Sequence, residues 1–394
     1  MFLSFHGDLQ QDDLRHLCIM FISIVMLQEI QDEDNQEREH KRRKLHASYE
    51  RRRIPRASIP DVQQSFIHFI IHHPSDMTFR DFFGVTPGLF HDLLQPFSAL
   101  FWRTTYLDAP EKEFFRPLDK SPRRRVQAEQ ALAFALHYLR STSQREHICG
   151  LFNVLQPQFN KYLYFCLALL RKVLKRIPTA KVRIPTAEEQ ICFSHLIQSK
   201  YPLLPFCVGA MDGLKLDLST TYEDRLEDNN YYNGWLKKHC IGNMFVWGPD
   251  GKIWLGAVNF PGSFHDSQIC IESGIYEKLL SKLHPRMWIA ADSAFAVKGR
   301  YSRILKRPSK IDEPGPQTDV EQALENSIIG VRQLSEWGNN ALKGAFPRLK
   351  MKMPLGDSRK RLLILDTCCH LHNLRTEMGM PNEITTTFLL PHVG

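Results

Sequence analysis

The sequence predicts an α/β protein in which a helical N-terminal part precedes a mixed sheet covered by helices. Residues 60–200 carry apolar side chains at helical spacing, whereas residues 201–292 contain short apolar runs that are separated by turn residues. Two long helical patterns follow, at 319–345 and 358–378. Strands that are followed by helices favour a mixed sheet with the helices packed on it.

Length and composition bound the organisation of the chain. Its 394 residues, 43% of them hydrophobic, are enough for two or three globular domains of roughly 100–200 residues each. We expect a flexible arm at residues 1–56, a helical region at 57–200, a sheet-containing domain at 201–380 and a tail at 381–394.

Positive charge is concentrated in the N-terminal arm. The chain has a net charge of +8, and residues 36–56 contain nine Lys/Arg and three Glu. Such a cluster is typical of a nuclear-import signal or a phosphate-binding arm, and it is also typical of a solvated flexible segment. Both interpretations stay open at this point.

Cysteine usage and hydropathy indicate a reducing compartment and no membrane span. The nine cysteines are scattered without a CxxC pair, which argues against a disulfide framework and against a structural zinc site. The longest apolar stretch, residues 17–27, is short of the roughly 20 residues that a membrane helix needs. We therefore expect a nuclear or cytosolic protein, with 17–27 as a packed helix.

The helical region contains the outline of a helix-turn-helix. Helices are predicted at 63–73, 87–101 and 123–141. Ser143 and Glu146 then form a capping-box pattern for a short helix, and a turn leads into a longer helix. This order matches a helix-turn-helix that contacts DNA, but plain packing of adjacent helices would produce it equally well.

The second half begins with short strands. Apolar runs predict strands at residues 206–212, 215–219, 239–248, 252–260 and 287–292. Pro249-Asp250-Gly251 predicts a hairpin turn between the third and the fourth of them. Asp266 is expected to cap a helix that starts there.

Three carboxylates in this half are the candidate catalytic and metal-binding residues. Asp212 and Asp292 each end an apolar strand run, and Glu336 lies in the helical pattern 331–349. Hard cations prefer carboxylate oxygens, and a pair of divalent cations cleaves phosphodiester bonds by in-line displacement. Taken alone, however, each Asp is also explained as a turn residue or a cap.

The spacing of the residues does not identify the third acid by itself. Glu336 shares a polar helical stripe with Arg332, Asn340 and Lys343, while Glu321 and Glu325 are competing acids on the same predicted helix. An ordinary Arg332–Glu336 ion pair on a solvated helix would also explain the stripe.

Ordered segments of the second half carry a family resemblance. They are GAMDG (209–213), YYNGWLKKH (231–239), PDGKIWLGAVNFPGSFHDS (249–267), AADSAF (290–295), RQLSEWGNNALKGAFPRL (332–349) and LDTCCHLHNLR (365–375). Together they resemble the PIF/Harbinger-type transposases, the DDE transposase 4 class, and their domesticated nuclease relatives. The resemblance covers about 200–378, nearly half of the chain.

The resemblance implies a ribonuclease-H-like fold in which Asp212, Asp292 and Glu336 bind two divalent cations, Mg²⁺ or Mn²⁺. Its R-x-x-x-E pattern selects Glu336 over Glu321 and Glu325. It also implies a nuclear DNA endonuclease or transposase that acts on transposon ends and target DNA. A separate Myb-like DNA-binding protein and a homo-oligomer on DNA are the expected partners.

The remaining site predictions concern DNA contacts and structural support. The expected contacts to the DNA backbone are Lys237, Lys238, Arg332, Lys343 and Arg348. His265 and Asp266 are expected to support the structure rather than take part in the chemistry. The competing hypothesis for the whole chain is a catalytically silent, domesticated transposase that serves as a DNA-binding or adaptor protein.

Overall fold

The computed structural model describes residues 65–106, 115–118, 124, 126–219, 228–295, 299–310, 313, 315–380 and 382–389. The predicted arm of residues 1–56, with its apolar segment 17–27, lies outside these described residues.

The first part of the described chain is mainly helical, as predicted. Its helices are α1 (Phe66–His72), α2 (Asp76–Phe83), α3 (Pro87–Phe101), α4 (Ala128–Arg140), α5 (Arg145–Phe152), α6 (Gln156–Leu174) and α7 (Ala187–Lys200). Two short strands, β1 (Thr104–Tyr106) and β2 (Phe115–Pro117), pair antiparallel between α3 and α4. The predicted Ser143 cap is wrong, because Gln144 is the N-cap of α5 and makes no side-chain capping bond.

Helices α5 and α6 have the predicted order of a short helix, a turn and a longer helix. Asn153 ends α5 in the left-handed conformation, at φ 50°. Residues 163–170 of α6 are buried on every side, and a helix that is apolar all round belongs to a core. Most of α6 is therefore unavailable to a ligand, and DNA contact by this pair stays a prediction.

The second part contains the sheet. Its elements are β3 (Cys207–Ser219), α8 (Asp228–Tyr231), β4 (Tyr232–Asn233), β5 (Lys238–Trp247), β6 (Ile253–Pro261), α9 (Asp266–Glu272), α10 (Ile275–Lys282), β7 (Trp288–Ala290), β8 (Leu305–Lys306), α11 (Asp319–Ala345), β9 (Met353–Pro354), α12 (Ser358–Glu377) and α13 (Glu383–Phe388). The central strand order is β6-β5-β3-β7-β8, with β4 also on β5 and β9 on β3.

Strand directions confirm the predicted mixed sheet. Strands β6, β5 and β3 pair antiparallel, whereas β3, β7 and β8 pair parallel. The predicted hairpin turn lies between β5 and β6, and α11 and α12 match the two predicted late helices. The predicted boundary near residue 200 stays a prediction, since α12 packs on α6 and one hydrophobic core contains residues of both halves.

Strand β3 is continuous where the sequence predicted two strands. The expected break between 206–212 and 215–219 is absent, because Gly213 keeps its place in the ladder opposite Met244. Glycine is required there for a different reason. A Cβ at Gly213 would lie 2.3 Å from a carboxylate oxygen of Asp266, which no side chain could accommodate without a shift.

The two faces of β3 are covered by different helices. Leu214 and Leu216 belong to the core that contains residues of α11 and α12. Val208 and Met211 belong to a second cluster, with residues of α9 and α10. From Ala210 onwards this division follows from the alternation of side chains along the strand. Val208 is out of that phase because the pairing is irregular between Cys207 and Gly209. The alternation places Asp212 on the face that contacts α11.

Helix α11 approaches the sheet closely at Gly338. A Cβ there would lie 2.3 Å from the ring of Trp247, which is fully buried. The next residue of the helix, Asn339, accepts a hydrogen bond from the indole Nε1 of Trp247 at 3.3 Å. The missing side chain of Gly338 thus sets the distance between α11 and β5.

Most of the described cysteines are buried. The eight described cysteines are free, and seven of them are buried. Burial raises the pKa of Cys207 to about 12, which keeps that thiol protonated near neutral pH. Separately, none of the described helices is long and apolar enough to cross a membrane.

We expect Gly338→Ala to destabilise the protein, because the added methyl group must push the Trp247 ring or the helix away. The expected cost is about 1–3 kcal/mol in the free energy of unfolding by urea. Gly344→Ala on the same helix is the matched control, since a Cβ there meets nothing within 4 Å. It should be neutral or stabilise by up to about 1 kcal/mol. Equal effects of the two changes would contradict this packing.

We expect the free energy of unfolding to fall in acid because of His372. Its Nε2 lies 3.0 Å from the carbonyl oxygen of Gly251, and burial lowers its pKa to about 4. The folded state therefore disfavours the charged ring. The stability that neutral His372 contributes is complete above about pH 6.5 and is lost as the pH falls towards 4.

The loss attributable to His372 should reach about 2 kcal/mol at pH 5. His372→Gln keeps an amide donor for Gly251 but removes the titration. The variant should lose less stability than wild type between pH 7 and pH 5, as measured by urea unfolding at each pH. An equal loss in both proteins would show that another group is responsible.

Candidate active site

The parallel pairing of β3 and β7 brings Asp212 and Asp292 together. Ala210 and Ala290 are direct partners in this pairing, and each Asp follows its Ala by two residues. Since side chains repeat every two residues, both carboxylates are directed to the face that α11 covers. Asp212 lies within β3 rather than at its end, as the sequence had predicted, because β3 continues to Ser219.

The environment of Asp212 disfavours its negative charge. Burial raises its pKa to about 6, and the negative charges of Asp266 and Asp292 add to the rise. A backbone hydrogen bond and the guanidinium of Arg332 act in the opposite direction. The amide Nδ2 of Asn339 lies 3.3 Å from Asp212 Oδ2 and holds the carboxylate in place. An added cation would be stabilised next to this carboxylate.

Arg332 joins the other two acids. Its Nη1 lies 3.4 Å from Asp292 Oδ1, and its Nη2 lies 2.8 Å from Glu336 Oε1. Asp292 also accepts a hydrogen bond from the backbone N–H of Ser293 at 2.7 Å. Glu336 is exposed, whereas Arg332 is largely covered. The residue predicted to contact DNA is thus the counter-ion of two candidate metal ligands in this structure.

The two competing glutamates of α11 have other partners. Glu321 forms a capping box with Thr318 at the start of the helix, accepting from its backbone N–H at 3.1 Å. Glu325 accepts from the backbone N–H of Ser309 at 2.6 Å. Of the three glutamates, Glu336 is therefore the one connected to Asp292.

The oxygen atoms of the three acids are the right kind of ligand for a divalent cation, but they lie too far apart to bind one cation together. All of their donor atoms are hard carboxylate oxygens, which Mg²⁺ and Mn²⁺ prefer. The carboxylate oxygens of the three acids are not all within 4.8 Å of one another. Among the described residues, His68, His72 and Glu129 have ligand atoms that are this close. The guanidinium of Arg332 between Asp292 and Glu336 accounts for part of this separation.

Asp266 lies on the opposite face of β3 from Asp212. Its carboxylate lies over Gly213, and its Oδ1 is 3.1 Å from the ammonium of Lys215. The predicted cap is wrong by one residue, because His265 is the N-cap of α9 and Asp266 is the first helical residue. The ion pair of Asp266 with Lys215 therefore lies on the face of β3 that is opposite to Asp212.

The other predicted DNA contacts fall into two groups. Lys237 and Lys238 lie at the hairpin between β4 and β5, where both are exposed and Lys238 pairs with Asp217 at 2.6 Å. Lys343 is half-buried on α11. Arg348 is half-buried as well.

The guanidinium of Arg348 has structural partners. It donates to the backbone carbonyls of Tyr138 and Ser143 at 3.1 and 3.0 Å and stacks over the Tyr138 ring. Burial lowers the pKa of this guanidinium. This arrangement favours a structural role for Arg348 over the predicted DNA contact.

Two further candidate residues, one beside Asp212 and one outside the acid site, escaped the sequence analysis. Asn339 connects Asp212 to Trp247 and is 5% exposed. The sequence feature that could have identified Asn339 is an amide on the apolar side of the helix, beside Gly338. Trp235 is 93% exposed at the hairpin that carries Lys237. The sequence feature that could have identified Trp235 is a large apolar side chain within a turn sequence.

Two comparisons found known proteins that are similar to this chain. Residues 211–373 match the model of the DDE superfamily endonuclease family. The human protein named "Putative nuclease HARBI1" is 23% identical over 270 residues, which cover 67% of this chain and 71% of the human protein. The bovine protein of the same name is 22% identical over the same length. No solved structure matches the chain.

The matched region begins at the residue before Asp212 and includes Asp292, Arg332, Glu336 and Asn339. The sequence resemblance is therefore confirmed. Residues 211–373 therefore form a DDE superfamily endonuclease domain, and the chain is similar, at modest identity, to the human and bovine proteins named "Putative nuclease HARBI1".

Proposed function

We propose that the chain is a divalent-metal-dependent DNA endonuclease or transposase of the Harbinger type, with Asp212, Asp292 and Glu336 as its catalytic acids. One observation carries the proposal: two carboxylates share a face of adjacent parallel strands, and the helical acid is joined to one of them through Arg332. The DDE endonuclease domain, which implies a ribonuclease-H-like fold, supports this assignment.

In this proposal Asp212, Asp292 and Glu336 hold the divalent cations, Mg²⁺ or Mn²⁺. Two such cations, when bound, activate the attacking water and stabilise the leaving 3′ oxygen. Asn339 restrains the Asp212 carboxylate, because its amide donates to Oδ2 while its own oxygen is held by Trp247. A ligand restrained in this way loses little conformational entropy when it binds a cation.

Arg332 has a second role in the same proposal. Its guanidinium pairs with both Asp292 and Glu336 and offsets part of their negative charge. If bound cations took over that pairing, the guanidinium would be free to contact DNA beside the acids. There it can donate two hydrogen bonds to phosphate oxygens, for which its planar geometry is suited.

We further propose that residues 232–239, here called the Trp235 hairpin, bind DNA beside the cleavage site. Trp235 is 93% exposed, and Lys237, two residues further on, adopts φ 51°. Asn233 holds the turn rigidly, accepting from Leu236 N at 2.9 Å and donating to the Gly262 carbonyl at 2.7 Å. An exposed indole beside ammonium groups suits base stacking together with phosphate contact.

The hairpin lies along the strand ladder from the acids. Asp212 pairs with Phe245, and Lys238 lies seven residues before Phe245 on β5. At about 3.3 Å per residue, the hairpin is roughly 23 Å from Asp212. That span equals about seven base pairs at roughly 3.4 Å each. The hairpin therefore contacts flanking DNA rather than the scissile phosphate.

The wider biological assignment rests on the family alone. We propose a nuclear protein that acts on transposon ends and target DNA, with a Myb-like DNA-binding partner and a homo-oligomer on the DNA. A catalytically silent DNA-binding protein is the second candidate. Such a protein would keep the fold and the Trp235 hairpin as a DNA-binding surface without cleaving DNA.

The acids can be tested by cleavage of DNA that carries the terminal repeats flanking the gene. We expect Asp212→Ala, Asp292→Ala and Glu336→Ala each to abolish nicking in Mg²⁺ or Mn²⁺, because each change removes a metal ligand. DNA binding in EDTA should be retained by all three. The measurement is the fraction of supercoiled plasmid that is converted to open circles.

Glu325→Ala is the matched control, since this acid lies on the same helix but binds the Ser309 backbone. It should cut like wild type. Wild-type cleavage by the Glu336 variant would remove Glu336 from the site. No nicking by the wild-type protein in either metal, with DNA binding that is unaffected by EDTA, would favour the silent DNA-binding protein.

The Trp235 hairpin can be tested by DNA-binding titrations in EDTA. Loss of one stacked base in Trp235→Ala should weaken binding by about 1–3 kcal/mol, or roughly 5- to 150-fold. Trp235→Phe, which keeps an aromatic face, should retain most of the affinity. Lys237→Ala should lower the slope of log affinity against log salt by about 0.9.

Lys282→Ala provides the control for charge alone, because Lys282 is an exposed lysine at the end of α10. It should leave the salt slope unchanged. Equal affinities of the Trp235→Ala and wild-type proteins would exclude the hairpin from the DNA-binding surface without affecting the assignment of the acids.

A further inference from the structure

Three potential metal ligands meet on the helical half, far from the acids in sequence. His68 and His72 are four residues apart on α1, so they lie on one side of that helix. Glu129 is the second residue of α4. One ligand atom from each of the three lies within 4.8 Å of the other two. Among the described residues, no other trio of His, Cys, Asp or Glu meets that criterion.

The ring of His72 is oriented as in a metal ligand. Its Nδ1 lies 2.9 Å from the carbonyl oxygen of His68, so the Nδ1–H donates to that oxygen. The lone pair is then on Nε2, which lies 3.9 Å from Glu129 Oε1. Histidines that bind metals commonly donate their second ring N–H to a backbone carbonyl in this way.

His68 supplies an unsatisfied nitrogen. Its Nδ1 is buried and has no hydrogen-bond partner. Its ring centroid is 3.9 Å from that of His72. A buried nitrogen without a partner is destabilising, and one ring nitrogen of His68 lies within 4.8 Å of ligand atoms of His72 and Glu129.

The spacing is close to that of a tetrahedral site. Zinc–nitrogen and zinc–oxygen bonds of about 2.0–2.2 Å place neighbouring ligand atoms roughly 3.3–3.5 Å apart. The observed 3.9 Å between His72 Nε2 and Glu129 Oε1 needs a closure of only about half an ångström. Side-chain rotation can supply this, because His72 and Glu129 are both partly exposed.

We propose that His68, His72 and Glu129 form a zinc site, with water as the fourth ligand. Two imidazoles and one carboxylate suit zinc, whereas the oxygen-only acids of the nuclease site suit Mg²⁺ or Mn²⁺. Two histidines four residues apart on a helix are an established spacing for zinc. The site joins α1 to α4 and is independent of the proposed DNA cleavage.

The proposal is tested by zinc titration of the full-length protein, followed by calorimetry. The titrated protein carries Asp212→Ala and Asp292→Ala, so that the acid site cannot bind the added metal. We expect one zinc per chain. Adding His72→Ala or Glu129→Gln should weaken binding at least tenfold. His73→Ala is the matched control, because this neighbouring histidine is outside the trio, and it should leave the affinity unchanged.

Cobalt identifies the type of ligand. Co²⁺ in the proposed site should show the absorption of a tetrahedral nitrogen and oxygen environment, without a thiolate charge-transfer band. Saturating zinc should also raise the Tm of the protein, and His72→Ala should abolish the rise. Circular dichroism checks that this exposed-site variant is folded.

Several outcomes would overturn the proposal. They are equal zinc affinity of the parent and His72→Ala proteins, an equal loss in His73→Ala, and a thiolate band with cobalt. None of them bears on whether Asp212, Asp292 and Glu336 cleave DNA, so the two proposals fail separately.

Discussion

The close packing of α11 on β5 through Gly338 is the contact on which the candidate active site depends. Without a side chain at Gly338, the buried ring of Trp247 lies directly against the helix backbone. Asn339 then reaches both the Trp247 indole and the Asp212 carboxylate. Because Glu336 is on the same helix about one turn away, the same contact also sets its position relative to the strand acids. An apolar packing requirement therefore determines the geometry of a polar site.

Cationic side chains lie beside the carboxylates on both faces of β3. On one face, Arg332 lies between Asp292 and Glu336, and it also opposes the rise in the Asp212 pKa. On the other face, Lys215 pairs with Asp266 behind the same strand. Several carboxylates so close together would repel one another without these cations. The guanidinium of Arg332 between Asp292 and Glu336 accounts for part of the separation of these two acids.

Sequence patterns predicted the elements well where one local signal dominated. The bounds of α3, α11 and α12 follow from apolar periodicity with clear caps and breakers, and the β5–β6 hairpin follows from its Pro-Asp-Gly turn. The predictions failed where a distant residue decided the outcome. Gly213 looked like a strand break, yet it is glycine because Asp266 lies over it. Arg348 looked like a DNA contact, yet its partners are carbonyls on α4 and before α5.

The sequence by itself determined the family, the mixed α/β architecture and the identity of the candidate acids, because ordered motifs and helical periods are local properties of the chain. Spacing alone left Glu321, Glu325 and Glu336 open, and the resemblance chose among them. Only the tertiary structure decided what each group contacts. The pairing of β3 with β7 placed two acids 80 residues apart on one face, and the packing of α11 added Glu336, Arg332 and Asn339. Register and helix packing depend on contacts between residues remote in sequence, so no local pattern contains them.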